Sequence, residues 1–67
     1  MIDVRVIRSS GKVGLHVVTD DAENWVAKNL ASEPWQWMGR ILWLDARVAA
    51  AVIPQMQVVG LTMEEDA

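Results

Sequence analysis

The sequence predicts an α+β fold: a two-layer sandwich in which a small, mostly antiparallel sheet carries two helices on one face. Three observations predict it. Residues 2–8 and 13–19 alternate in side-chain character and are rich in β-branched residues, the signature of strands. Two later stretches, opening at Asp20 and Asp45, repeat apolar residues at helical spacing. Between them lies Arg40-Ile41-Leu42-Trp43-Leu44, a run apolar on both faces, as a strand inside a sheet is. The order reads ββαβα with a short last β, and two helices against one sheet make a two-layer arrangement.

The first two strands are joined by Ser9-Ser10-Gly11-Lys12, which supplies the glycine a tight turn needs. A two-residue turn at Ser10-Gly11, or a four-residue loop over Ser9 to Lys12, pairs Val6 with Leu15 and Val4 with Val17 on one face. The same register sets Arg5 opposite His16 on the other. A three-residue loop would instead oppose Val6 to Gly14. One residue of slip changes every facing, so the first register is favoured.

Asp20 is the expected N-cap of the first helix, with Asp21 beside it and Glu23 at the third position to close a capping box. Ala22, Trp25, Val26 and Leu30 fall on one arc, and Pro34 stops the helix. Asp45 caps the second helix, Ala46 to about Val59. Its apolar stripe is Val48, Val52, Met56 and Val59, with Ala49 and Ile53 beside it. Pro54 removes one hydrogen bond from the interior. The stripe stays in phase beyond it, so a kink is expected rather than an end. Gly60 reads as the C-terminal cap. Leu61-Thr62-Met63 follows as a short edge strand, parallel to the Arg40–Leu44 strand after a right-handed crossover.

A chain of 67 residues and 7.5 kDa is one domain, set at residues 1–63 with an acidic tail at 64–67. Apolar residues at 52 % and charged residues at 22 % are the composition of a folded chain. The net charge is −3, and Glu64, Glu65 and Asp66 hold three of the nine acids, so the body carries six of each sign. A neutral body lacks the basic stripe of a nucleic-acid binder. The tail is expected to be solvated and frayed. The absence of Cys excludes disulfides, thiolate zinc sites and thiol nucleophiles. No apolar run is long enough to span a membrane, and the segment from Met1 to Arg5 has no signal-peptide core, so the expected location is the cytoplasm.

With both helices covering Ile2, Val4, Val6, Leu15 and Val17, the far face of the sheet holds Asp3, Arg5, Ile7, Gly14, His16 and Val18. The central strand adds either Ile41 and Trp43 or Leu42 and Leu44. Four Trp in so short a chain are more aromatic surface than a lone small domain covers easily. If Glu33-Pro34-Trp35-Gln36-Trp37-Met38-Gly39 is extended, Trp35 and Trp37 point the same way, as a pair of interface anchors. Candidate partner-binding residues are therefore Trp35, Trp37, Met38, Trp43, Ile7 and Val18.

Catalytic chemistry finds little support. His16, with Asp3 as an orienting carboxylate, could form a general base, but no nucleophile stands near it. Asp20, Asp21 and Glu23 do not match a calcium loop, and helix capping accounts for them without a metal. No glycine-rich loop leads into a helix, so no nucleotide or other cofactor is indicated. The expectation is a non-enzymatic protein-interaction module. It self-associates as a homodimer and acts as a binder, inhibitor or adaptor of a host protein, a size class common among phage and mobile-element accessory proteins. Two alternatives stand beside it. One is a nucleic-acid-binding accessory using Arg5, Arg8 and Lys12 with the Trp loop. The other is a ligand-binding or enzyme subunit whose site, with His16 or Asp20, is completed by oligomerisation.

Overall fold

Two strands, β1 (Val4–Ser9) and β2 (Lys12–Val17), form the expected hairpin in the expected register, with Val6 opposite Leu15 and Arg5 opposite His16. Ser10 and Gly11 both have positive φ, 37° and 81°, the type I′ geometry whose twist suits a two-residue hairpin. The chain continues through α1 (Asp20–Asn29), a 3-10 turn at Pro34–Gln36, β3 (Trp37–Met38), β4 (Ile41–Asp45), α2 (Ala46–Val58) and β5 (Met63–Asp66). This computed structural model describes residues 1–66; Ala67, the last residue of the expected tail, lies outside the described residues.

The sheet has five strands in the order β3-β4-β2-β1-β5. All neighbouring pairs are antiparallel except β1 and β5. It follows that β4 and β5 run in the same direction, as expected, but two strands lie between them. The helix α2 therefore crosses over β2 and β1. Val4, Val6, Val13, Leu15, Val17, Leu42 and Leu44 point to one side of the sheet and are buried there. Ala22 and Val26 of α1, with Ala49, Val52 and Met56 of α2, complete the same apolar cluster. Both helices thus lie on one face, and the two-layer α+β sandwich is the observed fold.

The helix α1 is capped one residue earlier than the sequence indicates. Thr19, not Asp20, is the N-cap, and its hydroxyl oxygen accepts from the Ala22 amide at 3.3 Å. The same hydroxyl donates to Asp3 Oδ1 at 2.6 Å, a tertiary contact that favours Thr19 over its acidic neighbour. The other Asp3 oxygen accepts from the Thr62 amide at 2.8 Å. One carboxylate thus ties the start of β1, the start of α1 and the entry to β5. The Thr19 hydroxyl first, and the Thr62 amide second, hold the Asp3 carboxyl below its ordinary range.

A group with a lowered folded-state pKa stabilises the fold fully above its unfolded value, about 3.9 for Asp, and less as pH falls through the folded one. Thermal stability is therefore expected to fall in acid below about pH 4, and Asp3→Asn to flatten that limb. Thr19→Ala is expected to cost about 1 kcal/mol at neutral pH, and less in acid where the Asp3 bond is already lost. Melts of the three chains between pH 2 and 7 check this; parallel acid limbs for wild type and Asp3→Asn would contradict it.

Asp45 caps α2 as expected, accepting from the Arg47 amide at 2.9 Å. The helix continues through Pro54; Ala50, whose carbonyl loses that bond, is exposed to water. The sheet-facing arc is narrower than the expected stripe: Val48 and Val59 are exposed, while Ala49, Val52 and Met56 are buried. Gly60 ends the helix with φ 92°. Its amide donates to the Gln57 carbonyl and the Leu61 amide to the Met56 carbonyl, the two bonds of a Schellman cap.

The acidic segment is not a frayed tail. Glu64, Glu65 and Asp66 belong to β5, with Glu64 beside Arg5 and Glu65 beside Val6. Arg5 Nη1 meets Glu64 Oε1 at 3.3 Å, and Arg8 pairs with Glu65. The last strand therefore begins two residues later than expected and runs into the acids, where Arg5 and Arg8 of β1 receive Glu64 and Glu65.

Candidate functional site

The side of the sheet away from the helices is built by strand register. Met38, Ile41, His16, Arg5 and Glu64 form one row across all five strands. The next row contains Trp43, Gly14 and Ile7. Of the two facings possible for β4, the observed one sends Ile41 and Trp43 to this side and Leu42 and Leu44 to the core. The row nearest the hairpin turn holds Asp45, Lys12 and Ser9.

Gly14 makes this surface possible. A Cβ there would lie 2.9 Å from Ile41 Cγ2 and 3.1 Å from Cη2 and Cζ3 of Trp43. The missing side chain leaves a slot, and the six-membered ring of Trp43 lies over it. Trp43 is consequently half-buried, with its indole Nε1 shut from solvent and, among the described residues, without an acceptor. Ile7 and Ile41 are also half-buried, Val18 beyond the end of β2 is 41 % exposed, and Met38 is 68 % exposed. The β3–β4–β2 half of the face is thus largely apolar. At the margins of the face Arg5 pairs with Glu64, and Lys12 lies in register with Asp45.

Met38, Trp43, Ile7 and Val18 therefore gather on or beside one surface, and the two loop tryptophans do not join them. The segment before β3 is a 3-10 turn rather than extended, so Trp35 and Trp37 do not form a pair. Pro34 at its first position and the Gln36 side chain, which accepts from the Glu33 amide at 2.8 Å, hold that turn. Trp35 is 79 % exposed. Trp37 lies opposite Leu42, packs against the core on the helix side, and donates from Nε1 to Ser32 Oγ at 3.0 Å. Trp25 likewise packs against the core from α1.

The strand β3 was not expected. Its signal is Gly39 with φ 61° between Met38 and Ile41, the first central residue of a two-residue hairpin turn. Arg40, the other turn residue, donates from Nε to the Val17 carbonyl at 3.0 Å and from Nη2 to Glu23 Oε2 at 2.9 Å. Glu23 thus bridges to the hairpin instead of closing a capping box.

Arg5, Arg8 and Lys12 do not form one basic patch. Arg5 and Lys12 stand on the open face, Arg8 on the helix side, and both arginines are engaged by acids of β5. His16 lies half-buried between Ile41 and Arg5 in its row. The Asp3 carboxylate is held by Thr19 and Thr62, so it does not serve as the orienting group for His16. Asp20 and Asp21 remain in the first turn of α1. Among the described residues no helix is long and apolar enough to cross a membrane. No protein-family model, curated protein or solved structure matches the chain.

Proposed function

We propose that this chain is a non-enzymatic protein-interaction module that binds a second copy of itself through the open face of the sheet. The dimer then serves as a binder, inhibitor or adaptor for a host protein, of the kind phage and mobile elements carry, in the cytoplasm. The observation that carries the reading is the half-face of Met38, Ile41, Trp43 and Val18, apolar and margined by compensated charges. This is the anatomy of an interface, with an apolar centre and a polar rim. A two-fold axis lying across the strands sets the apolar half of one copy on the same half of the other. Arg5 with Glu64 and Lys12 with Asp45 are opposite-sign neighbours within one chain, so these parts of the rim bring no unbalanced like charges together on self-pairing.

Met38 tests this well, since at 68 % exposure it contributes little to the core. Met38→Asp is expected to weaken self-association by about 30-fold or more while leaving the thermal melt of the dilute, dissociated chain nearly unchanged. Light scattering after size exclusion over a range of concentrations gives the measurement. A wild-type chain that stays monomeric into the millimolar range, or a Met38→Asp chain that associates normally, overturns the reading.

A further inference from the structure

Between the margins of the apolar half-face, among the described residues, stands one titratable group, His16, with its ring half-buried. On β4 its cross-strand neighbour is Ile41, and Trp43 lies one row on. Gly14 and Val18 flank it along its own strand direction. None of these carries a charge. The charges that face it come from β1 and β5. Arg5 lies directly opposite. Asp3 meets Val18 one row further, but its carboxylate is taken by the Thr19 hydroxyl and the Thr62 amide. Glu64 lies beyond Arg5 and is paired with it. Asp66 is in register with Ile7, and Lys12 and Asp45 stand two rows away at the turn end. An imidazolium at His16 therefore meets the like charge of Arg5 first, and the ring has no ion pair among the described residues.

In the free chain the exposed side of the ring lies in water, which solvates the charged form. Self-association removes that water. A two-fold axis across the strands lays β2 of one copy over β2 of the other, so both His16 rings enter the shared apolar centre. Burial penalises the charged form of an imidazole, and a like charge nearby penalises it further. The second ring, if charged, adds to the penalty of the first.

We propose that His16 makes the self-association of this chain pH-dependent: the dimer forms with both imidazoles neutral and comes apart as they take up protons. This rests on the self-association reading and names a regulation of that same surface. Histidine gains its charge between about pH 8 and about pH 5. In that range the free chain binds more protons than the dimer, so acid shifts the equilibrium toward monomers. The overall charge works in the other direction. The chain carries −3 with His16 neutral, so protonation brings it nearer to zero and relaxes the repulsion between copies. Weakening in acid therefore reports the local penalty at His16 and not the net charge.

Light scattering after size exclusion at about pH 7.5 and about pH 5.5, over a range of concentrations, tests the switch, with thermal melts of the dilute chain as the folding control. The wild-type dissociation constant is expected to rise by about tenfold or more between the two. His16→Gln, polar but neutral at both, is expected to associate equally well at each. A second readout needs no variant. His16 is the only histidine of the chain, so its ring protons give an unambiguous NMR signal. That signal is expected to report protonation at lower pH in a concentrated sample than in a dilute one. A wild-type dimer of equal or greater affinity in acid overturns the switch and leaves the sheet-face reading standing. So does a ring signal whose titration ignores concentration, or a His16→Gln dimer that weakens in acid as wild type does. A wild-type chain monomeric at every concentration at about pH 7.5 overturns both.

Discussion

Gly14→Val is expected to destabilise the domain by about 2–3 kcal/mol and to turn Trp43 outward. The added Cβ alone would stand 2.9 Å from Ile41 and 3.1 Å from the indole, and the two methyls come closer still. The backbone cannot relieve this, because β2 pairs on both sides, with β1 and β4. The indole must therefore lift from the sheet. A domain of this length has a total stability of roughly 3–10 kcal/mol, so the loss is a large part of the whole. Chemical denaturation measures it. Trp43→Phe is the companion variant: it keeps a ring over Gly14 and removes a buried Nε1 that has no acceptor among the described residues, so it is expected to be near neutral. Equal stability of Gly14→Val and wild type would show that the slot is not what holds the ring.

The same pair shows what the chain declares locally and what it does not. The hairpin register was legible because a buried face penalises a slip: Val4, Val6, Leu15 and Val17 can all point inward in only one pairing. Asp45 and Gly60 were legible because caps are short-range chemistry. The fate of Trp43 was not. Its half-burial depends on a missing side chain in a neighbouring strand, and a composition argument counts the Trp without seeing the slot. The first cap was misplaced for a similar reason. Thr19 and Asp20 are both good N-caps, and the choice between them is made by Asp3, sixteen residues earlier. Trp35 and Trp37 pair only if Glu33 to Gly39 is extended, and a 3-10 turn takes that place. Pro34 and the three-residue spacing from Glu33 to Gln36 were the available signs of a turn. For the candidate site, four of the six expected contact residues gather on or beside the open face.

Deleting residues 63–67 distinguishes a solvated tail from a strand. A tail contributes nothing, so its removal would leave the melt where it was. As β5, residues 63–66 pair with β1, and Met63 packs against the core. Losing part of a Met burial and a short ladder of backbone hydrogen bonds should cost about 2–4 kcal/mol after the entropy of ordering the strand is subtracted. Charge is the smaller part of it. The Arg5–Glu64 and Arg8–Glu65 pairs are about half exposed, and pairs of that kind contribute at most about 1 kcal/mol each. Glu64→Gln with Glu65→Gln is therefore expected to cost much less than the deletion, and 1 M salt to change wild-type stability only slightly. What the acids supply is selectivity. A parallel edge strand made of Glu, Glu and Asp is a poor template for pairing with another chain, and edge charge is how sheets discourage such pairing. Against β1, Glu64 and Glu65 find Arg5 and Arg8 and are compensated. The deleted chain would then present the edge of β1, with Val4 and Val6 partly uncovered, and should aggregate at concentrations where the full chain does not. A deletion variant as stable and as dispersed as the full chain would return residues 64–66 to the status of a solvated terminus.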